Sequence, residues 1–324
     1  MGDLHVMRDD LRPPAPPPRR HLISIADLTR DDVERILESA GALTDVHEKL
    51  PTLEGKLVLT IFFESSTRTS SSFELAAKKL SADVMSLKAA GSSLDKGESL
   101  KDTVLTLAAY EPHAIVVRHP QIGAPELVAR YSGAAVVNAG DGKRQHPTQA
   151  LLDLFTMRQA LCSGNTGTLD GLHVAIVGDV LHSRVARSLI QALALVGART
   201  TLIGPPTLLP RGIEALGCET STDIGAIEAA DVVYVLRMQR ERMESAFVPS
   251  LREYAARWGI TPERLRPGQK VMHPGPINRG VEIDGRVADG PDSLILAQVG
   301  SGLAVRMAVL QELLVARRAL EEVA

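Results

Sequence analysis

The feature that most constrains this chain is an alternation. Short apolar runs of strand character are followed repeatedly by longer segments of helical character. Strand-like runs fall at 56–63, 114–117, 134–137, 172–177, 199–203, 231–236 and 270–272, with helix-like segments at 72–80, 147–160 and 184–196. A last helix runs from about Leu303 to the end, with Leu303, Met307, Leu310 and Leu314 on one apolar stripe. Strands separated by helices pair in parallel, because a parallel neighbour can be reached only by a crossover. The expected fold is therefore α/β, with parallel sheets flanked by helices. A length of 324 residues exceeds one core of ordinary size, about 150 residues, and predicts two domains. The polar, Gly-containing stretch 161–171 reads as a surface connection, and the cluster Asn138-Ala139-Gly140-Asp141-Gly142 as a turn. The division is set at 21–150 and 151–299.

Bulk composition removes several classes of function. A formal charge of -3, without Lys/Arg runs interleaved with aromatics, provides no field for a nucleic-acid backbone. No apolar run approaches the roughly 20 residues that span a bilayer. Cys162 and Cys218 stand far apart with no metal-ligand spacing around them, which fits a reducing cytoplasm and predicts no metal. Residues 1–20 end in a run of prolines and arginines, expected to be an extended solvated tail, with a proline-rich docking motif as the alternative.

The residues suited to chemistry gather where strands end. Ser65-Ser66-Thr67-Arg68-Thr69 follows the first strand and opens a helix. Hydroxyls, a guanidinium and a helix N-terminus suit a tetrahedral dianion, although Ser and Thr also serve as ordinary caps. Arg118 leaves the next strand at the same edge, where it either meets a ligand or snorkels to solvent. His146-Pro147-Thr148-Gln149 opens the following helix with Pro at its first turn. In the second half, Gly178-Asp179-Val180-Leu181-His182-Ser183-Arg184 joins a strand to a helix without the glycine fingerprint of a dinucleotide site. Arg184 and Arg237, the latter followed by Gln239, suit carboxylates or a second phosphate, with surface ion pairing equally open. His273-Pro274-Gly275-Pro276 forms a rigid turn after the last strand.

Taken in order, Phe62-Phe63-Glu64-x-Ser66-Thr67-Arg68-Thr69, Arg118-His119-Pro120, His146-Pro147-Thr148-Gln149 and Arg237-Met238-Gln239 resemble the catalytic chain of the aspartate carbamoyltransferase family. The resemblance covers the chain from about His21 to the final helix. It implies two α/β domains with parallel sheets, linked by two bridging helices, here the helix after His146 and the C-terminal one. The latter, 300–324, would complete the first domain. It also implies a homotrimer whose sites lie at subunit boundaries, with Ser92 and Lys96 supplied by a neighbouring copy. By the same resemblance, Ser66, Thr67, Arg68 and Thr69 hold the phosphate of carbamoyl phosphate. Thr69, Arg118 and His146 polarise its carbonyl, Gln149 holds its amino group, and the backbone oxygens of Gly275 and Pro276 face the reacting nitrogens. Lys96, Arg184, Arg237 and Gln239 take L-aspartate, and Glu64 pairs with Arg184 and Arg242 on domain closure. Two positions depart from the family pattern: Ser70 stands where an arginine is usual, and Gly275 where a leucine is usual.

The implied reaction is direct attack of an amine on the carbamoyl carbon, with phosphate leaving and no cofactor. An ornithine-type transcarbamoylase is the nearest alternative. It usually carries Cys in the late turn, where Pro274 stands here, and Arg237 with Gln239 suits a dicarboxylate better than a cation. A non-catalytic structural paralogue is a second alternative, opposed by the intact set of Arg68, Lys96, Arg118 and His146. Regulatory or dihydroorotase-like partner chains remain open.

Overall fold

The central strands of both halves are largely apolar on both faces, the pattern of parallel strands covered by helices on each side. In β2, Leu57–Phe62, every residue after Leu57 is buried. The architecture, seen in a computed structural model that describes residues 21–88, 98–162, 167–239 and 247–315, follows from this pattern. The first half runs β1 (His21–Leu22), α1 (Arg30–Leu43), β2, α2 (Thr67–Lys79), β3 (Asp83–Lys88), α3 (Leu100–Ala108), β4 (Ala114–His119), α4 (Ala124–Ser132), β5 (Ala135–Asp141) and α5 (Pro147–Leu161). The second runs β6 (His173–Val177), α6 (Arg184–Leu195), β7 (Arg199–Ile203), β8 (Glu219–Ser221), β9 (Val232–Val235), α7 (Leu251–Trp258), β10 (Lys270–Met272), α8 (Gly285–Ala288) and α9 (Ile295–Leu314).

Each half forms one five-stranded parallel sheet, in the orders β1-β5-β4-β2-β3 and β10-β9-β6-β7-β8. The chain therefore reverses its direction of travel between β2 and β4 in the first sheet, and between β6 and β9 in the second. At such switch points the crossover helices diverge to opposite faces, leaving a crevice at the carboxyl ends of the strands. Helix α9 returns from the second half to pack on α1, α2 and α5, while α5 also packs on α6. A polar link fixes that last junction: the His146 N–H donates to Ser188 Oγ at 2.8 Å, and Ser188 Oγ donates to Gln145 Oε1 at 2.9 Å.

Several elements differ from the sequence expectation. Helix α2 begins at Thr67 rather than 72, which puts Thr67, Arg68 and Thr69 in its first turn. Residues 138–141 are not a turn but the end of β5, buried throughout. The polar residues there find partners inside: Asn138 donates to Ile23 O and to Asp141 Oδ1, both at 2.9 Å. Helix α9 starts at Ile295, eight residues before the expected 303, and 316–324 lie outside the described residues. The expected division at 150/151 falls within α5. The tail, 1–20, also lies outside them.

Candidate active site

The two switch points face one cavity of about 810 Å³. Its lining includes Glu64, Ser66, Thr67, Arg68, Thr69 and Arg118 from the first half. His146, Gln149, Arg184, Arg237, Gln239, Gly275 and Pro276 are the other predicted residues that line it. Ser92, Lys96 and Arg242 lie outside the described residues.

On the first sheet, the initial turn of α2 lines the cavity, and a helix N-terminus is favourable to an anion. The Ser66 hydroxyl does not cap that helix but accepts from Arg118 Nη1 at 2.9 Å. Arg118 Nε donates to Glu64 Oε2 at 3.2 Å, and Arg184 Nη2 donates to the same oxygen at 2.7 Å. One carboxylate thus joins the arginines of both sheets. Arg184 is otherwise tied by Nη1 to the carbonyl of Gly142 at 3.1 Å. Gln239 follows β9, its N–H donating to buried Asp179 at 3.3 Å. Arg68 and Arg237 approach closely enough that, after burial, the Arg237 charge is the next cause lowering the Arg68 pKa.

His146 stands at the N-cap of α5, fully enclosed. Burial first, then the charges of Arg118, Arg184 and Arg306, hold its pKa well below the ordinary 6.5, so the ring is neutral. Its Nδ1 has no hydrogen-bond partner among the described residues. A neutral imidazole beside cations can donate to a carbonyl oxygen without adding another buried charge. His273, which precedes the rigid turn, is also held below its usual value, mainly by burial. Its Nδ1 accepts from the Gly275 N–H at 2.7 Å, while Nε2 reaches Glu282 at 3.3 Å. Gly275 has φ 62° and joins Pro276 through a cis peptide bond. A Cβ there would overlap the Arg68 guanidinium, so the glycine leaves the space that Arg68 fills.

Sequence reasoning missed four residues here. Arg306 of α9 lines the cavity, buried, with Nη1 donating to Ser72 Oγ at 2.7 Å and its guanidinium 5.1 Å from the Phe73 ring centroid. Burial pushes its pKa down to about 10. It brings a cation to the helix where Ser70 replaces the usual arginine; Ser70 itself turns back to donate to Ser66 O at 2.8 Å. Asp153, Tyr234 and Gln298 form a buried cluster behind Gln149. The available signal was a charge inside an apolar run: Leu151-Leu152-Asp153-Leu154-Phe155 and Ala304-Val305-Arg306-Met307.

The aspartate/ornithine carbamoyltransferase carbamoyl-P binding domain matches residues 20–159, and the Asp/Orn binding domain of the same family matches 170–313. The chain belongs to the aspartate/ornithine carbamoyltransferase family. As a carbamoyltransferase it is an enzyme. It is 54% identical over 301 residues to the aspartate carbamoyltransferase catalytic subunit of Sorangium cellulosum, covering 90% of this chain and 92% of that one. Among solved carbamoyltransferases, aspartate transcarbamoylase from Trypanosoma cruzi, in complex with carbamoyl phosphate and aspartate, superposes with TM-score 0.81 at 31% identity, covering 91% and 96% of the two chains. Ornithine carbamoyltransferase from Gloeobacter violaceus superposes with TM-score 0.76 at 27% identity, covering 91% and 99%.

Proposed function

We propose that this chain transfers the carbamoyl group of carbamoyl phosphate to the amino group of L-aspartate, giving N-carbamoyl-L-aspartate and phosphate. The observation that carries the reading is the charge of the cavity wall: among the described residues, Arg68, Arg118, Arg184, Arg237 and Arg306 line it, with Glu64 as the one carboxylate. Two anionic substrates suit such a wall; the cationic side chain of ornithine would meet like charges.

The unit 21–150, completed by the C-terminal helix 300–324, binds carbamoyl phosphate, and 151–299 binds aspartate. Ser66, Thr67, Arg68 and Thr69 hold the phosphate. Thr69, Arg118 and neutral His146 donate to the carbonyl oxygen as it becomes an oxyanion. Gln149 and the backbone oxygens of Gly275 and Pro276 take the amino group. Arg184, Arg237 and Gln239 bind the carboxylates of aspartate. The amine lone pair forms the new C–N bond, and the tetrahedral intermediate collapses by breaking the C–O bond to phosphate. The amine proton leaves with a phosphate oxygen, so the products are the ureido acid and hydrogen phosphate. Holding both partners in attack geometry supplies several kcal/mol of the barrier reduction. The product holds the N–C–N–C–C–C chain that ring closure would turn into a pyrimidine, and we place the reaction in that pathway. Free Cys162 and Cys218 support a cytoplasmic setting.

The active assembly in this reading is a homotrimer, with Ser92 and Lys96 reaching the site of a neighbouring copy. Mixing inactive Lys96→Ala with inactive His146→Ala chains after dissociation should then restore part of the activity, because some sites receive both intact residues. No recovery would contradict shared sites. The function itself is tested by phosphate release, expected only when carbamoyl phosphate and aspartate are both present. Release independent of aspartate would contradict it.

A further inference from the structure

We propose that Asp153 is a positioning residue that makes the site select a carbamoyl over an acetyl phosphate, by fixing the Gln149 amide with its oxygen toward the substrate. This rests on the function proposed above.

Asp153 lies fully buried one turn after Gln149 on α5. Its Oδ1 accepts from Gln149 Nε2 at 3.0 Å and from Gln298 Nε2 of α9 at 2.7 Å. Its Oδ2 accepts from the Tyr234 hydroxyl of β9 at 2.7 Å. Burial raises the Asp153 pKa to about 7. Gln298 Oε1 already accepts from the His273 N–H at 2.9 Å, so Gln298 offers Asp153 Oδ1 only its Nε2 donor and Oδ1 serves as an acceptor, whereas a glutamine amide can present either end. The Gln149 nitrogen is therefore drawn to Asp153, and Oε1 is the end left to the cavity that Gln149 lines. An acceptor there pairs with the –NH2 of a carbamoyl group and leaves nothing for the –CH3 of an acetyl group. A site built around such an acceptor rejects the ligand that cannot donate to it. Arg306, buried on α9, supplies an opposing charge that favours the ionised form of Asp153. The same cluster ties α5, α9 and β9, so a merely structural role must be separated from a positioning one.

Asp153→Leu and Asp153→Asn make that separation in the full chain. The readouts are KM for carbamoyl phosphate, with aspartate as acceptor, and the competitive Ki of acetyl phosphate. Asp153→Leu removes both acceptors, and the expected result is a KM raised about tenfold with Ki changed less than about threefold. Asp153→Asn keeps Oδ1 for Gln149 and turns Nδ2 to Tyr234 Oη, so its KM should stay within about threefold of the wild type. If Asp153→Leu does not fold, Asp153→Ser gives the same readout, since its shorter side chain withdraws the acceptor from Gln149. A folded variant lacking the acceptor that keeps the wild-type ratio of KM to Ki, or weakens both ligands alike, would overturn the inference. A wild type that transfers nothing to aspartate would instead overturn the function on which it rests.

Discussion

The two sheets present the same device twice, yet they do so with different degrees of self-sufficiency. At the β2/β4 switch point, the first turn of α2 and Arg118 come from one sheet, and Ser66 holds Arg118 directly. At the β6/β9 switch point, Arg184 opens α6 and Arg237 follows β9, but Arg184 is committed to Glu64 of the other sheet. The Arg118 side of the first anion site is built within one sheet, although Arg68 also fills space left by Gly275 of the second half; Arg184 depends on how the two sheets meet. Perturbing the junction should therefore disturb aspartate binding more than carbamoyl phosphate binding.

The largest expected effect lies in the local half. Arg118→Ala and His146→Ala each remove a donor from the developing oxyanion, and kcat should fall about 10²–10³-fold in steady-state assays. A normal kcat in both would remove the chemistry assigned to that edge. Gly275→Ala comes next. Its Cβ would displace the Arg68 guanidinium at a residue of φ 62°, and strain of about 1–3 kcal/mol should weaken carbamoyl phosphate roughly tenfold in equilibrium binding. Unchanged affinity would mean that Arg68 does not need its present place. Smaller again is Glu64→Gln, which keeps an acceptor but removes the charge joining the sheets. KM for aspartate should rise several-fold with carbamoyl phosphate affinity nearly constant. Equal effects on both substrates would break the contrast between the halves.

The smallest effect is on pH-dependent stability. The pKa of His146 is depressed in the folded chain, so below about 6.5 the unfolded state takes up a proton that the folded state refuses. Stability contributed by the neutral ring is present above that pH and lost as pH falls. Thermal melts should show the wild type losing more stability than His146→Asn between about pH 7 and the acid side. Parallel curves would mean that the ring titrates normally when folded.

How far the sequence revealed this arrangement differs with the kind of interaction. β6, β7 and β10 were legible as apolar runs, and Arg68, Arg118 and His146 as polar groups leaving such runs. α1, α3, α4 and α7 were not picked out, nor was β3, where Ser86 and Lys88 break any continuous apolar run. The extension of β5 through Asp141 was hidden because its polar residues look like a turn until Ile23 and Gln145 come to satisfy them. Glu64, Gln239 and Gly275 were placed only by family resemblance, since one-dimensional spacing carries no sign of their partners. Asp153 and Arg306 escaped because their meaning lies in long-range contacts: Gln298 is brought to Asp153, and Ser72 to Arg306, only when α9 folds back.

The most direct test of the central claim is a transfer assay with isotope-labelled carbamoyl phosphate and equal concentrations of aspartate and ornithine. The account predicts label in N-carbamoyl-L-aspartate, with none above background in citrulline. Label in citrulline would keep the phosphate-binding half of the account and contradict the reading of Arg184, Arg237 and Gln239 as a carboxylate site.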